Sequence, residues 1–276
     1  MELAKIISIL QYPEPIAEAI KQNIFSSAIP ILAKNAYANE SGFFPITKMP
    51  PFERLVVVTF LLSEKYDNYV RLGVPEEIIE DTFRDVAHRA RIYFERYSAV
   101  GLSTDDVVWF RHIMNIEIFQ LGPLQFQSFK MIYLDEETIG EPYMVFSQAQ
   151  KQQLIPGTPV INCHIPKGTS LQPEVVRDSF RCAIKLFEKV FPNLKFEAFL
   201  CYSWLLYPKM TAYLPSNSNI REFAGLFSII GYCSDNAQAL EFLHTATSLH
   251  RIAIAQPEIL GFACGIIPID HASENQ

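Results

Sequence analysis

Glycine is scarce: the 276-residue sequence has 11, and they form neither GxxxxGK[ST] nor GxGxxG. A glycine-rich phosphate cradle, and with it the common nucleotide-binding folds, is therefore excluded. GxSxG, HExxH and CxxC are absent too, which removes the hydrolase elbow, the zincin helix and the thioredoxin-like or zinc-knuckle pair. The five cysteines are odd in number and no two are closer than 19 positions, so they form no disulfide framework. They read as small buried residues of a reducing compartment. No run approaches the roughly 18 uncharged apolar residues of a membrane span. The longest apolar block is Leu55 to Leu62, interrupted by Thr59. The first ten residues carry Glu2 and Lys5 within a helical pattern and lack a signal-peptide core. The expectation is a soluble cytoplasmic protein without a membrane span. Excess basic charge is missing as well: the net charge of −7 gives no general attraction to phosphate backbones, and nucleic acid is not expected as a partner.

What is present is a core. Apolar residues make up 49% of the chain and charged residues 19%, which excludes a disordered chain. The charge is uneven: 14 basic and 20 acidic residues through Ile155, then 9 and 10, with all five cysteines in the second part. The first ~120 residues read as helices. Pro75 to Tyr97 places Ile79, Phe83, Val86, Ala87, Ala90, Tyr93, Phe94 and Tyr97 near the 3.6-residue period, with acidic residues in the first turn. Phe52 to Leu72 is a second helix, apolar almost all round and so central to a bundle, closed by Gly73. Ser103 to Asp106 caps a third, expected to run to about Phe119.

After Gly122 the period changes. Leu124 to Leu134 alternates; Val160 to Ile165, Phe196 to Leu206, Phe227 to Cys233 and Phe262 to Ile269 are strand-like. Pro173 to Phe191 is a clear amphipathic helix stopped by Pro192; Asn236 to His244 and Thr247 to Ala255 are shorter helical stretches. Strands alternating with helices indicate an α/β or α+β layer fold.

Three segments carry chemistry-bearing residues. In Cys163-His164-Ile165-Pro166-Lys167-Gly168, His164 closes a strand, either as a base in a cleft or as a ring satisfying a loop carbonyl. Cys163 and His164 point to opposite faces of a strand, which argues against a thiol–imidazole dyad. In Tyr202 to Pro208, Ser203 and Trp204 bring polar handles to an apolar strand end, or serve the core. In Leu214 to Phe223, Ser216, Asn217, Ser218 and Asn219 enter a short helix with Arg221 nearby: an anion site made of backbone N–H groups, or a plain capped helix.

The stretches NCHIPKGTSLQPEVV, SWLLYPKMTAYLPSNSNIREFAGLF and GLSTDDVVWFRHIMNIEIFQLGPLQF, in combination, resemble a bacterial family of acyltransferase domain-containing proteins. The resemblance covers nearly the whole chain. It implies an α+β protein: an all-α N-terminal domain, residues 1–121, and a C-terminal domain, residues 122–276, similar to the GCN5-related N-acetyltransferase (GNAT) fold. It further implies transfer of an acyl group from acyl-CoA, as co-substrate, to an amine or similar acceptor, both small molecules, with no metal. GNAT enzymes hold the CoA diphosphate on an R/Q-x-x-G-x-G/A loop at a helix N-terminus. Here Ser216, Asn217, Ser218 and Asn219, with Arg221, Ser203 and Trp204, are the expected cofactor contacts instead. Pro123 is a second departure, at a position expected to be basic in many relatives.

Such chemistry needs a base for the amine, a donor for the tetrahedral oxyanion and an acid for the leaving thiolate. His164 is the candidate base and Tyr232 the candidate acid, from their places at strand ends and not from a family motif. The alternative is a GNAT-like scaffold without catalysis, binding or sensing a ligand, as the missing glycine loop suggests. A cysteine-dependent hydrolase is the third reading.

Overall fold

The computed structural model describes residues 2–37, 45–243 and 255–269. The chain divides into two compact units, Met1–Gln120 and Leu121–Gln276.

The first unit is a helical bundle: α1 (Leu3–Leu10), α2 (Glu14–Asn23), α3 (Ile29–Tyr37), α4 (Pro51–Arg71), α5 (Glu76–Tyr97) and α6 (Thr104–Met114). The apolar block Leu55 to Leu62 makes α4 the central helix, packed against α1, α2, α3, α5 and α6. Its buried Thr59 is satisfied by the Tyr12 hydroxyl at 2.8 Å and by its own Leu55 carbonyl. Gly73 follows α4 at φ +74°, a conformation that glycine adopts without a Cβ penalty. Tyr69 lies edge-on to Phe83 at 5.2 Å and to Phe119 at 5.9 Å, and its hydroxyl donates to the Ile113 carbonyl. Ser103 caps α6 as expected, in a reciprocal box with Asp106. Arg89 bridges Asp85 and Asp106, and the Trp109 indole N–H also donates to Asp85.

One expected helix is shorter than its pattern. α6 does not run to Phe119: it stops at Met114, Ile116 adopts φ +59°, and strand β1 (Ile118–Leu121) begins. An apolar run of this length satisfies a helix or a buried strand equally well, and the left-handed Ile116 breaks the helix between them.

The second unit continues with β2 (Leu124–Lys130), α7 (Glu136–Ile139), α8 (Gln148–Gln153), β3 (Pro159–His164), α9 (Pro173–Val190), β4 (Ala198–Ser203), α10 (Pro208–Tyr213), α11 (Asn219–Gly225), β5 (Ser228–Cys233), α12 (Ala237–Phe242) and β6 (Phe262–Pro268). The expected helix Thr247 to Ala255 lies outside the described residues, apart from its last residue. The sheet order is β1-β2-β3-β4-β6-β5. β3 and β4 are parallel, and the pairs β2–β3, β4–β6 and β5–β6 are antiparallel. α9 is the crossover that a parallel pair requires.

α9 covers one face of this sheet. Its Phe180 packs edge-on against Phe199 of β4 at 4.7 Å and Phe126 of β2 at 5.2 Å. Cys163 and Cys201 lie on the same face, by strand alternation. The opposite face carries a second core of Met131, Tyr133, Met144, Phe146, Val160 and Leu200. α11 sits beside α9, where Phe223 and Phe227 extend the aromatic stack toward Phe180 and Arg177 pairs with Glu222.

Two losses are expected. Ser103→Ala removes the α6 cap and costs about 1 kcal/mol in urea unfolding. Phe199→Ala opens a cavity in the aromatic stack and costs about 3–5 kcal/mol in the same measurement.

Candidate functional site

The site follows from where the parallel pair ends. β3 and β4 pair over Val160–Ala198, Ile161–Phe199 and Asn162–Leu200, and the register stops there. Both strands continue, β3 to His164 and β4 to Ser203. The backbone pairing of β3 and β4 therefore ends before either strand does, at the same end of the sheet.

Beside the end of this pairing lies a row of neutral polar side chains, on the face opposite α9. Gln125 and Gln127 of β2 stand directly across from His164 and Asn162 of β3. Three of the four are buried: Gln125 and Gln127 are each 4% exposed and Asn162 is 8% exposed. His164 Nε2 meets Gln127 Oε1 at 2.9 Å. With Nε2 donating to that oxygen, the proton resides on Nε2 and Nδ1 is the basic nitrogen of the neutral ring. Asn162 Oδ1 is buried and has no hydrogen-bond partner among the described residues.

The remaining expected site residues lie elsewhere. Ser203 is buried on the α9 face, and its Oγ accepts the Leu205 N–H as β4 turns into a 3-10 turn. Trp204 is buried in that turn, and its backbone N–H donates to Gln238 Oε1. Neither side chain joins the polar row. Ser216 and Asn217 are exposed in the turn before α11; Ser218 occupies the N-cap without a side-chain cap bond. The expected side-chain capping by serine is thus not what starts this helix. Arg221 Nη1 donates to the Leu214 carbonyl at 3.1 Å and braces the same turn. This group stands with α11 on the α9 side of the sheet.

Tyr232 is not brought to His164. It lies on the outer strand β5, with β6 and β4 between it and β3. It is 58% exposed and lies edge-on to Tyr207 at 6.0 Å, so it is not a packed core tyrosine. A register shift between Ile229 and Gly231 decides its face. Ser228 pairs with Ile266, but Tyr232 pairs with Ala263, so residues of even number change face along the strand. Tyr232 thereby points to the α9 side, away from His164. Gly231 sits at the irregularity because a Cβ there would fall 2.5 Å from the Phe146 ring.

The cysteines offer no nucleophile here. Cys163 lies on the opposite face from His164, and burial pushes its thiol well above the ordinary range, helped by its neighbour Cys201. Burial likewise raises the Cys264 thiol to about 12. Among the described residues no group of three or more His, Cys, Asp or Glu side chains could hold a metal ion, and no helix is long and apolar enough to cross a membrane.

The sequence reading missed Gln125, Gln127 and Asn162. Leu124 and Phe126 alternate with Gln125 and Gln127, a pattern that ordinarily turns the polar residues to solvent. The available signal was the pair of glutamines itself, set opposite the Asn162–His164 strand.

A helical unit followed by a mixed sheet with one short parallel pair and an α-helical crossover defines a GNAT-like acyltransferase fold. Family models agree: residues 1–116 match an N-acyltransferase N-terminal domain and residues 118–257 match a GNAT-like C-terminal domain. The chain belongs to the family that joins these two domains. Among solved structures it is similar to an acyltransferase in complex with CoA and 10C-teicoplanin, at a TM-score of 0.73 and 18% identity, over 97% of this chain and 87% of that one. An acyltransferase variant in complex with octanoyl-CoA gives 0.72 and 18%, over 96% and 87%. An acyltransferase in complex with decanoyl-CoA and teicoplanin gives 0.70 and 18%, over 97% and 87%. No curated protein is significantly similar to the chain in sequence.

The thiol environments give a direct expectation. In the native protein maleimide labels exposed Cys182 fastest, while buried Cys163, Cys201 and Cys264 react only on unfolding; peptide mass spectrometry reads the order.

Proposed function

We propose that the protein transfers an acyl group from acyl-CoA to an amine or similar small-molecule acceptor, with His164 as the general base. The observation that carries this reading is the parting of β3 and β4 beside the His164–Gln127 pair, in a chain with a GNAT-like domain. An extended acyl-pantetheine arm fits an opening between strands whose backbone pairing has ended. The acceptor would approach the polar row, where His164 Nδ1 takes its proton as the amine attacks the thioester. Gln127 fixes the ring tautomer that makes this possible. Holding donor and acceptor side by side supplies acceleration through orientation.

In this reading the two chemical ends of the donor are handled on different sides of the sheet. Two places compete for its diphosphate. One is the expected turn Ser216–Asn219 with Arg221. The other is the loop 165–172 with exposed Lys167, which runs from the end of β3 into the first turn of α9. The second adjoins the opening directly and leads into an 18-residue helix whose N-terminal N–H groups suit an anion. Tyr232, on the other face and three strands away, is left without a part, and the CoA thiolate expelled as the tetrahedral adduct collapses takes its proton from water. We also take residues 1–121 and 122–276 as the two domains.

The test is a thermal-shift titration with CoA, octanoyl-CoA and decanoyl-CoA. Ligand at about 100 times its dissociation constant stabilises by ~2.7 kcal/mol. Lys167→Ala is expected to weaken binding more than Arg221→Met; the reverse places the diphosphate at α11. His164→Ala is expected to retain acyl-CoA binding and lose at least about 100-fold in turnover with an amine acceptor. Gln127→Leu is expected to lower kcat and shift its pH profile without changing the donor dissociation constant. Binding without turnover against an amine panel would support the non-catalytic scaffold.

A further inference from the structure

Asn162 has no place in the mechanism above, yet its surroundings call for one. β3 is otherwise apolar through its buried stretch: Val160, Ile161 and Cys163 are all core. Asn162 interrupts it in the last row where β3 still pairs with β4, opposite Leu200. Its side chain is more than nine-tenths buried, and Oδ1 lacks a hydrogen-bond donor among the described residues. A buried carbonyl oxygen left without a donor is destabilising, and apolar residues of similar volume are the stabilising choice there. The neighbouring amide, Gln127, directs its Oε1 to His164. Asn162 thus presents an unpartnered acceptor on the same face as His164, one strand repeat earlier, in the last row where β3 and β4 pair.

We infer that Asn162 is a donor-binding residue, its Oδ1 accepting a hydrogen bond from an amide N–H of the acyl-CoA pantetheine arm as that arm lies between β3 and β4. This rests on the acyltransferase reading and deepens it. Depth selects the arm over the acceptor: a group threading the opening passes Asn162, whereas an acceptor meeting half-buried His164 approaches from the outer end. The pantetheine arm carries two secondary amides and no charge, which matches a neutral, buried acceptor.

The experiment compares wild type, Asn162→Leu and Asn162→Asp by calorimetric titration with octanoyl-CoA and with adenosine 3′,5′-bisphosphate, which lacks the pantetheine arm. Asn162→Leu is expected to melt at or above the wild-type temperature and to bind octanoyl-CoA about tenfold more weakly. Its affinity for the bisphosphate stays unchanged. Asn162→Asp, which keeps an acceptor oxygen, stays within about threefold of wild type for octanoyl-CoA. If Asn162→Leu does not fold, Asn162→Ala and Asn162→Ser carry the same comparison. An unchanged octanoyl-CoA affinity in a folded acceptor-free variant overturns the inference while leaving acyl transfer standing. An equal loss for both probes also overturns it, as a general distortion. A wild type that binds no octanoyl-CoA overturns the acyltransferase reading, and this inference falls with it.

Discussion

The short parallel pairing of β3 and β4 is the constraint on which the second unit is organised. Three residue pairs join the strands, and everything beyond Asn162 and Leu200 is held by other neighbours. Two strands can part in mid-sheet only if each keeps a firm partner on its far side. β3 has β2, in register from Lys130–Pro159 to Gln125–His164, and β4 has β6, in register through Ser203–Ala263. The Phe126–Phe180–Phe199 stack then clamps the closed part of the sheet under α9. These lateral pairings and the aromatic wedge let the β3–β4 pairing end early without a glycine.

That arrangement sets the chemistry on either side of it. On the α9 face β3 presents Cys163, whose thiol burial pushes well above the ordinary range. On the other face β3 presents asparagine and histidine beside the two glutamines of β2, neutral groups that orient hydrogen-bonding partners without fixing a charge. His164 is the titratable side chain of that row, and its Nε2 meets the Gln127 side-chain oxygen. A site of this kind separates orientation, supplied by the rigid sheet, from proton transfer, supplied by one ring.

Much of the scaffold was legible because its signals were local. The α9 stripe Val176, Phe180, Ala183, Phe187 and Val190 repeats at helical spacing, and its Phe180 is the residue that reaches the sheet. The Ser103–Asp106 box announces α6 from four residues. His164 could be placed at a strand end from the Pro166–Gly168 turn that follows. What sequence could not reveal depended on other strands. Gln125 and Gln127 read as solvent-facing until β2 is seen to be covered on both sides. The run to Phe119 reads as helix until Ile116 reverses its backbone. Tyr232 reads as reaching the same cleft as His164 until the irregularity at Gly231 turns it over. The family resemblance carried the domain pairing and the GNAT-like sheet, and local pattern alone stopped at an α/β or α+β layer.

The order of the strands bears on how the sheet is assembled. β6, the last of the six described strands, lies between β4 and β5, so among the described residues β5 has no sheet partner until β6 arrives. During synthesis β4 and β5 are therefore two unsatisfied edges facing a gap that only a later segment fills. Such edges invite pairing with foreign strands, and a chain arrested before residue 262 would expose both. The sheet is completed by insertion of its last strand, which makes the sequence from Phe262 to Pro268 a keystone in assembly quite apart from any part in binding.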